Sequence, residues 1–323
     1  MLKTVMVTRN IEGIKILDAT IRDGGLVNDF FFTDEFVKKV YQANIAAGID
    51  YMEFGYRADK KMFEPSKFGK WKFASDEDIR SIVGDNATSL KLSIMADVGR
   101  CDFRNDIHKK SESPVDLVRV ATYIETIPEA VEMIEFAASQ GYETTCNIMA
   151  ISKCTMKQLS DALDILAQSP AMGVYIVDSY GALYPKETKK LTKFFHEKLS
   201  PYGKLTGFHA HNNQQCAFAN TIESKDAGAK LLDVTLYGMG RGAGNCHSEE
   251  LLGYFNGKKY HVEPILKIVE SDMLALRAQE PTWGYNTSYM ITGLANAHPR
   301  DAIAATKNHD NNYLEQFKFQ FYK

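Results

Sequence analysis

The chain is predicted to fold as α/β, a (β/α)₈ TIM barrel with a short C-terminal helical extension. Two observations carry this. β-branched runs alternate with amphipathic helical stretches from residue 14 to about residue 275, and the runs number eight. Strict alternation of this kind implies a parallel sheet, because parallel strands need a crossover that a helix usually supplies. A third observation is an absence: no G-x-G-x-x-G follows the first run, which removes the main support for an open dinucleotide-binding sheet. No Gly/Ser/Pro linker and no internal repeat divides the chain. Residues 14–275 are therefore expected to form the barrel domain and 276–323 the extension, punctuated by Pro281, Gly284 and Pro299.

The expected strands are 14–21, 49–56, 90–98, 117–123, 143–151, 174–179, 205–211 and 232–237. Between them, 34–47 places Phe36, Val37, Val40, Tyr41 and Ile45 along one side, as a helix packed on a sheet requires. Similar patterns cover 128–139, 156–168, 186–199 and 214–227. Gly48, Gly141 and Gly228 suit helix C-termini, where a left-handed residue closes the last turn.

Composition narrows the function classes. A net charge of −3 offers no electrostatic footprint for nucleic acid. No apolar run approaches the ~20 residues that cross a bilayer, and no secretory signal opens the chain. The five cysteines contain no C-x-x-C pair, so reduced thiols and a cytoplasmic location are expected, with no zinc-thiolate site.

Barrel enzymes place their chemistry at the C-terminal ends of the strands. Here the first strand runs into Arg22-Asp23-Gly24-Gly25, the second carries Glu53, and the sixth ends at Asp178-Ser179. The seventh holds His209 and His211, which share a face because strand side chains alternate. The eighth leads through a glycine-rich turn to Asn245. Closing the barrel makes strands one, seven and eight neighbours, so Asp23, His209, His211 and Asn245 are expected to converge on one divalent cation. Taken singly, each has a structural reading: turn histidines, an Asp-Gly turn, paired carboxylates at Glu53 and Asp178, or an Asn capping a helix near Ser248. A mixed N/O donor set suits six-coordinate Mn²⁺, Mg²⁺ or Co²⁺ with open positions rather than closed Zn²⁺. Such an ion chelates a 2-oxo acid, and Arg22 then faces the oxygen that becomes negative as an enolate develops.

These residues resemble the metal-dependent aldolase, lyase and synthase family that includes hydroxymethylglutaryl-CoA lyase. Leu17-Asp18-Ala19-Thr20-Ile21-Arg22-Asp23-Gly24 is similar to its D-x-T-L-R-D-G signature, Phe208-His209-Ala210-His211-Asn212 to its H-x-H strand, and 238–245 to its glycine-rich turn ending in G-N. The resemblance implies Asp23, His209 and His211 as metal ligands, with Asn245 a fourth as in the lyase branch. It implies Arg22 as the enolate-stabilising group and Glu53 as an acidic support. Residues 177–185 and 284–289 resemble the 4-hydroxy-2-oxovalerate aldolase branch, which implies Asp178, Ser179 and Tyr289 at the substrate. The implied partners are a 2-oxo acid, with pyruvate as the enolate component, and an aldehyde. Mn²⁺ is the leading cofactor, and a homo-oligomer is expected.

One position departs from that branch. Its acid/base histidine, three residues after the motif aspartate, is here Leu26, which transfers no proton. Tyr289, His298 and metal-bound water are the substitutes considered. An acyl-CoA lyase or synthase is the first alternative, although the lyase's cysteine loop is missing, and a non-catalytic metal- or ligand-binding barrel is the second. Hydrolases of the amidohydrolase kind carry H-x-H on the first strand, not the seventh. Residues 60–72, rich in lysine and aromatic residues, follow strand two. They are read either as a solvated loop anchored by Trp71 or as a cover over an anionic substrate.

Overall fold

The computed structural model describes residues 9–322. Eight parallel strands close into a barrel in sequence order: β1 (Lys15–Asp18), β2 (Tyr51–Tyr56), β3 (Lys91–Asp97), β4 (Leu117–Thr122), β5 (Glu143–Ile148), β6 (Gly173–Asp178), β7 (Leu205–Ala210) and β8 (Leu231–Val234). Closure is made by β1 against β8, with Leu17 opposite Asp233.

Strand alternation sorts the side chains. Ile16, Met52, Phe54, Leu92 and Leu232 face the helices and join the main apolar core. Leu17, Tyr51 and Leu117 fall outside that core and pack inside the barrel beside Met172, near Tyr175, Val177 and Leu231. Glycine at 207 makes room for one of these. A Cβ there would lie 2.5 Å from the Tyr175 ring, so only Gly lets that buried tyrosine cross the barrel.

The helices Asp34–Ala47, Ile127–Ser139, Met156–Gln168 and Pro185–Leu199 form where expected. Thr33 caps the first through Phe36 N–H, and Gly48 closes it at φ 73°. The helix expected at 214–227 begins only at Ala217, because Asn212 accepts from the Ala217 N–H and holds the preceding turn. The β3–β4 connection breaks the alternation: it carries only the four-residue helix Phe103–Asp106 and one 3₁₀ turn.

Three expected strands, β1, β5 and β8, end three residues early, and the differences at β1 and β8 bear on function. After Asp18 the chain turns into the short helix Thr20–Gly24, so Arg22 and Asp23 project from a helical turn. β8 stops at Val234 and yields to a 3₁₀ turn at Leu236–Gly238 in which Tyr237 has φ 53°. The C-terminal part is helical, with Thr287–Leu294, Arg300–Lys307 and Tyr313–Phe321. It is pinned to the barrel mouth where the Asn213 and Gln214 side chains donate to the Tyr289 and Met290 carbonyls. Among the described residues no helix is long and apolar enough to cross a membrane.

Candidate active site

A cavity of about 350 Å³ opens at the C-terminal ends of the strands. At its base Asp23, His209 and His211, all buried, bring one donor atom each within 4.8 Å of one another. Asp23 Oδ2 lies 4.0 Å from Nε2 of both imidazoles. Donors about 2.0–2.2 Å from a common centre are at most ~4.4 Å apart, so each Asp23–imidazole pair lies within reach of one cation. Burial keeps the His211 imidazole well below its ordinary pKa and hence neutral. Burial pushes the Asp23 carboxyl the other way, but the Arg22 guanidinium, helped by the Asn245 amide, prevails and holds it ionised, far below the usual carboxylate range. A neutral His211 imidazole and an ionised Asp23 carboxylate are forms that metal ligation requires.

Asn245 joins this cluster without capping the helix Ser248–Phe255, whose N-cap is His247. Its Nδ2 donates to Asp23 Oδ2, while its Oδ1 is buried with no partner among the described residues. Turning the amide over would present that orphaned oxygen to the same centre. Gly240 creates the space, since a Cβ there would lie 2.2 Å from Asn245 Nδ2 and 2.7 Å from Asp23 Oδ2. The donor set and this cradle fit a divalent cation.

Below the cluster runs a closed chain of buried charges that sequence reasoning found only in part. Arg22 donates Nε to Glu53 Oε2 at 2.7 Å and Nη1 to Asp23 Oδ1 at 2.8 Å. Arg119, fully buried on β4, donates to the same Glu53 oxygen at 2.9 Å and, through Nη2, to Asp233 on β8. Asp233 Oδ2 in turn accepts from His209 Nδ1 at 2.9 Å, which fixes the proton on Nδ1 and leaves Nε2 for a metal. Burial opposes ionisation of Asp233, yet Arg119 and His209 hold its pKa low. Glu53 thus acts from beneath the cavity, through Arg22, and does not line it. Arg119 and Asp233 were missed. The available signal was a charged residue at an inward strand position between apolar neighbours, as in Val118-Arg119-Val120 and Leu232-Asp233-Val234.

The remaining sequence-derived candidates separate. Ser179 lines the cavity and its hydroxyl accepts from Ala150 N–H. Asp178 lies beneath, its carboxylate accepting from the Ala182 and Leu183 amides, and burial raises its pKa to about 7. It shapes the loop after β6 and does not face the cavity. Tyr289 likewise stays off the cavity: it is buried against Ala243 and Ala302, and its hydroxyl donates to the Thr282 carbonyl. The expectation that it reaches the substrate does not match this placement, because helix Thr287–Leu294 packs that face inward. Leu26 does line the cavity. So does His298, with Nδ1 accepting from Arg300 N–H at 3.1 Å and Nε2 lying 3.2 Å from Arg241 Nη1. A neutral imidazole has one acceptor, so only one of these contacts is a hydrogen bond in each tautomer. Desolvation at the rim, with the Arg241 and Arg300 guanidinium groups, pushes the His298 pKa down to about 4.

In residues 60–72 the anchor expected of the loop reading forms. Trp71 is the anchor, fully buried against Phe54, and Lys72 turns inward to line the cavity.

A closed barrel with a buried His/His/Asp cluster and an arginine beside it at the strand ends defines a lyase-type enzyme. The HMGL-like family model matches residues 13–270, and the chain belongs to that family. Among relatives, 4-hydroxy-2-oxovalerate aldolase of Pelotomaculum thermopropionicum is 30% identical over 78% of this chain and 73% of its own. Oxaloacetate decarboxylase of Mycobacterium tuberculosis is 29% identical over 82% of this chain and 77% of its own. The N-terminal domain of a candidate aldolase from Bacteroides vulgatus has the same fold at a TM-score of 0.78 and 27% identity, over 94% of this chain and 99% of that one.

Proposed function

We propose that the chain is a divalent-metal-dependent aldolase that makes or breaks a C–C bond of a 2-oxo acid through the enolate of pyruvate. The observation that carries this reading is the meeting of Asp23, His209 and His211 with the Arg22 guanidinium at one cavity. A divalent cation at that cluster, Mn²⁺ foremost and Mg²⁺ or Co²⁺ next, supplies a Lewis acid for the keto and carboxylate oxygens of the 2-oxo acid.

The protein's own groups do the rest. Arg22 spends Nε and Nη1 on Glu53 and Asp23, and among the described residues Nη2 has no partner. That edge is left for the oxygen that gains charge, held rigid so that no reorganisation is needed as the charge appears. In cleavage of a 4-hydroxy-2-oxo acid, the C4 hydroxyl loses its proton and C4 becomes the aldehyde carbon. The electron pair of the C3–C4 bond passes into the pyruvate enolate, which is then protonated at C3. Leu26 takes no proton, and His298 on the same cavity wall accepts one only by giving up its contact with Arg241 or Arg300.

Proton NMR of pyruvate in D₂O tests the reading, with metal-loaded and chelator-treated protein quenched and stripped of metal before acquisition. Loss of the methyl signal only with metal is expected. Absence of exchange with every metal tried would overturn the reading. Leu26 also favours a second reading, decarboxylation of a 2-oxo diacid as named for the mycobacterial relative. Losing CO₂ leaves the same enolate and requires no base at the C4 hydroxyl. Metal-dependent CO₂ release from oxaloacetate, without condensation with any aldehyde, would select it.

A further inference from the structure

The cavity holds more positive charge than a 2-oxo acid neutralises. Arg22, Lys72, Arg100, Arg241 and Arg300 line it, against only two carboxylates, Asp23 and Asp97. Arg22 is committed to Glu53 and Asp23, and Arg241 donates to the Ser179 carbonyl and approaches His298. Lys72 has no such commitment. It is 9% exposed, and among the described residues its ammonium has no hydrogen-bond or ion-pair partner. Four rings surround it instead: Phe63 at 4.2 Å, Tyr56 at 4.8 Å, Phe30 at 5.2 Å and Phe68 at 5.6 Å.

Aromatic faces position an ammonium without neutralising it. Burying a charge in this way is costly unless an anion meets it. Arg100, just beyond β3, adds a second cation that acts on Lys72, and its side chain is also unpartnered among the described residues. The facing groups of opposite sign are Asp97 and Asp29. Asp97 keeps one buried oxygen without a hydrogen bond, and burial raises its pKa, so it compensates poorly. Lys72 and Arg100 stand over β2 and β3, whereas the histidines of the metal cluster belong to β7 and the residue after it. The carboxylate of pyruvate sits beside its keto group and stays with the cluster and with Arg22, which shares the Tyr56 ring with Lys72, so the pair over β2 and β3 is left for a second anionic group.

We infer that Lys72 and Arg100 form an anion subsite for a carboxylate or phosphate on the part of the substrate beyond the pyruvyl unit. This rests on the aldolase reading and assigns its aldehyde to the anionic class. The two Lys72-flanking phenylalanines of segment 60–72, Phe63 and Phe68, pack edge to face and keep the ammonium in place.

The test uses the full, Mn²⁺-loaded chain with pyruvate and two aldehyde pairs: succinic semialdehyde against butanal, and glyceraldehyde 3-phosphate against glyceraldehyde. Wild type is expected to show the higher kcat/KM with the charged member of at least one pair, and the pair that responds identifies carboxylate or phosphate. Lys72→Met and, independently at an exposed position, Arg100→Met should each lower the charged-to-neutral ratio about 10- to 100-fold. A ratio unchanged in both variants, a wild-type preference for the neutral members, or an effect confined to the KM of pyruvate would overturn the subsite. Pyruvate methyl exchange, measured alongside, reports on the aldolase reading separately. If exchange or condensation is missing, calorimetry with succinate and glycerol 3-phosphate decides. Binding weakened about tenfold or more by Lys72→Met retains the subsite; no binding, or equal binding by the variant, removes it.

Discussion

Arg22 shows how much one side chain depends on its planar fork. It holds Glu53 and Asp23 with two nitrogens and has a third without a partner among the described residues, all from a helical turn of five residues. Lysine has the charge but no such geometry. Arg22→Lys is therefore expected to retain bound metal, measured by atomic emission after dialysis, while kcat/KM falls about 10²- to 10³-fold. Equal activity in the variant would remove Arg22 from the chemistry. At Leu26 the reverse holds, because an apolar side chain occupies the cavity wall where the resembling aldolases carry an acid/base. Nothing local compensates for this. The imidazole on the same cavity wall, His298, comes from the C-terminal part, far along the chain.

The strands of the barrel act as a frame that transmits position between charges. Glu53 on β2, Arg119 on β4, Asp233 on β8 and His209 on β7 all point inward at one level, so the barrel carries an ionic layer above its apolar one. Removing the central cation takes one partner from each of two buried carboxylates, leaving Glu53 with Arg22 and Asp233 with His209, which costs up to about 3–5 kcal/mol. Arg119→Met should lower the denaturant midpoint accordingly and also weaken metal binding, since Asp233 loses the group that holds it under His209. A midpoint unchanged from wild type would show that the layer contributes nothing net. This element-scale arrangement was only half legible. The H-x-H alternation marks a strand whatever surrounds it, and the family resemblance pointed to Glu53, the third residue of β2. Arg119 lies in mid-strand, where a buried charge makes sense only once three other strands are seen around it.

At the scale of the whole molecule, the metal cluster joins residue 23 to residues 209 and 211 and so ties the turn after the first strand of the barrel to its seventh strand. A ligand that binds only this closed arrangement stabilises the fold by mass action. Free Mn²⁺ at a hundred times its Kd should add about 2.7 kcal/mol to the unfolding free energy, seen as a raised Tm. His211→Ala should abolish that increment while leaving the metal-free protein folded. An equal increment in the variant would place the bound ion elsewhere. The C-terminal helices belong to the same argument: hydrogen-bonded to the loop after β7, they bring His298 and Arg300 over the cavity.

The eight-strand alternation, the helix faces and the cluster of Asp23, His209 and His211 were all determined by the sequence itself. Each rests on a local rule: side-chain periodicity of 2 or 3.6, and strand ends that share one rim. Tertiary structure alone decided which polar residues face the cavity. It turned Lys72 inward among four rings, placed Asp178 and Tyr289 behind the wall, and linked Arg119 to both Glu53 and Asp233. The physical reason is that a side chain's role depends on what neutralises or solvates it, and those partners come from strands and loops distant in sequence. Local pattern specifies where an element lies and which face it buries, but the pairing of buried charges exists only once the barrel has closed.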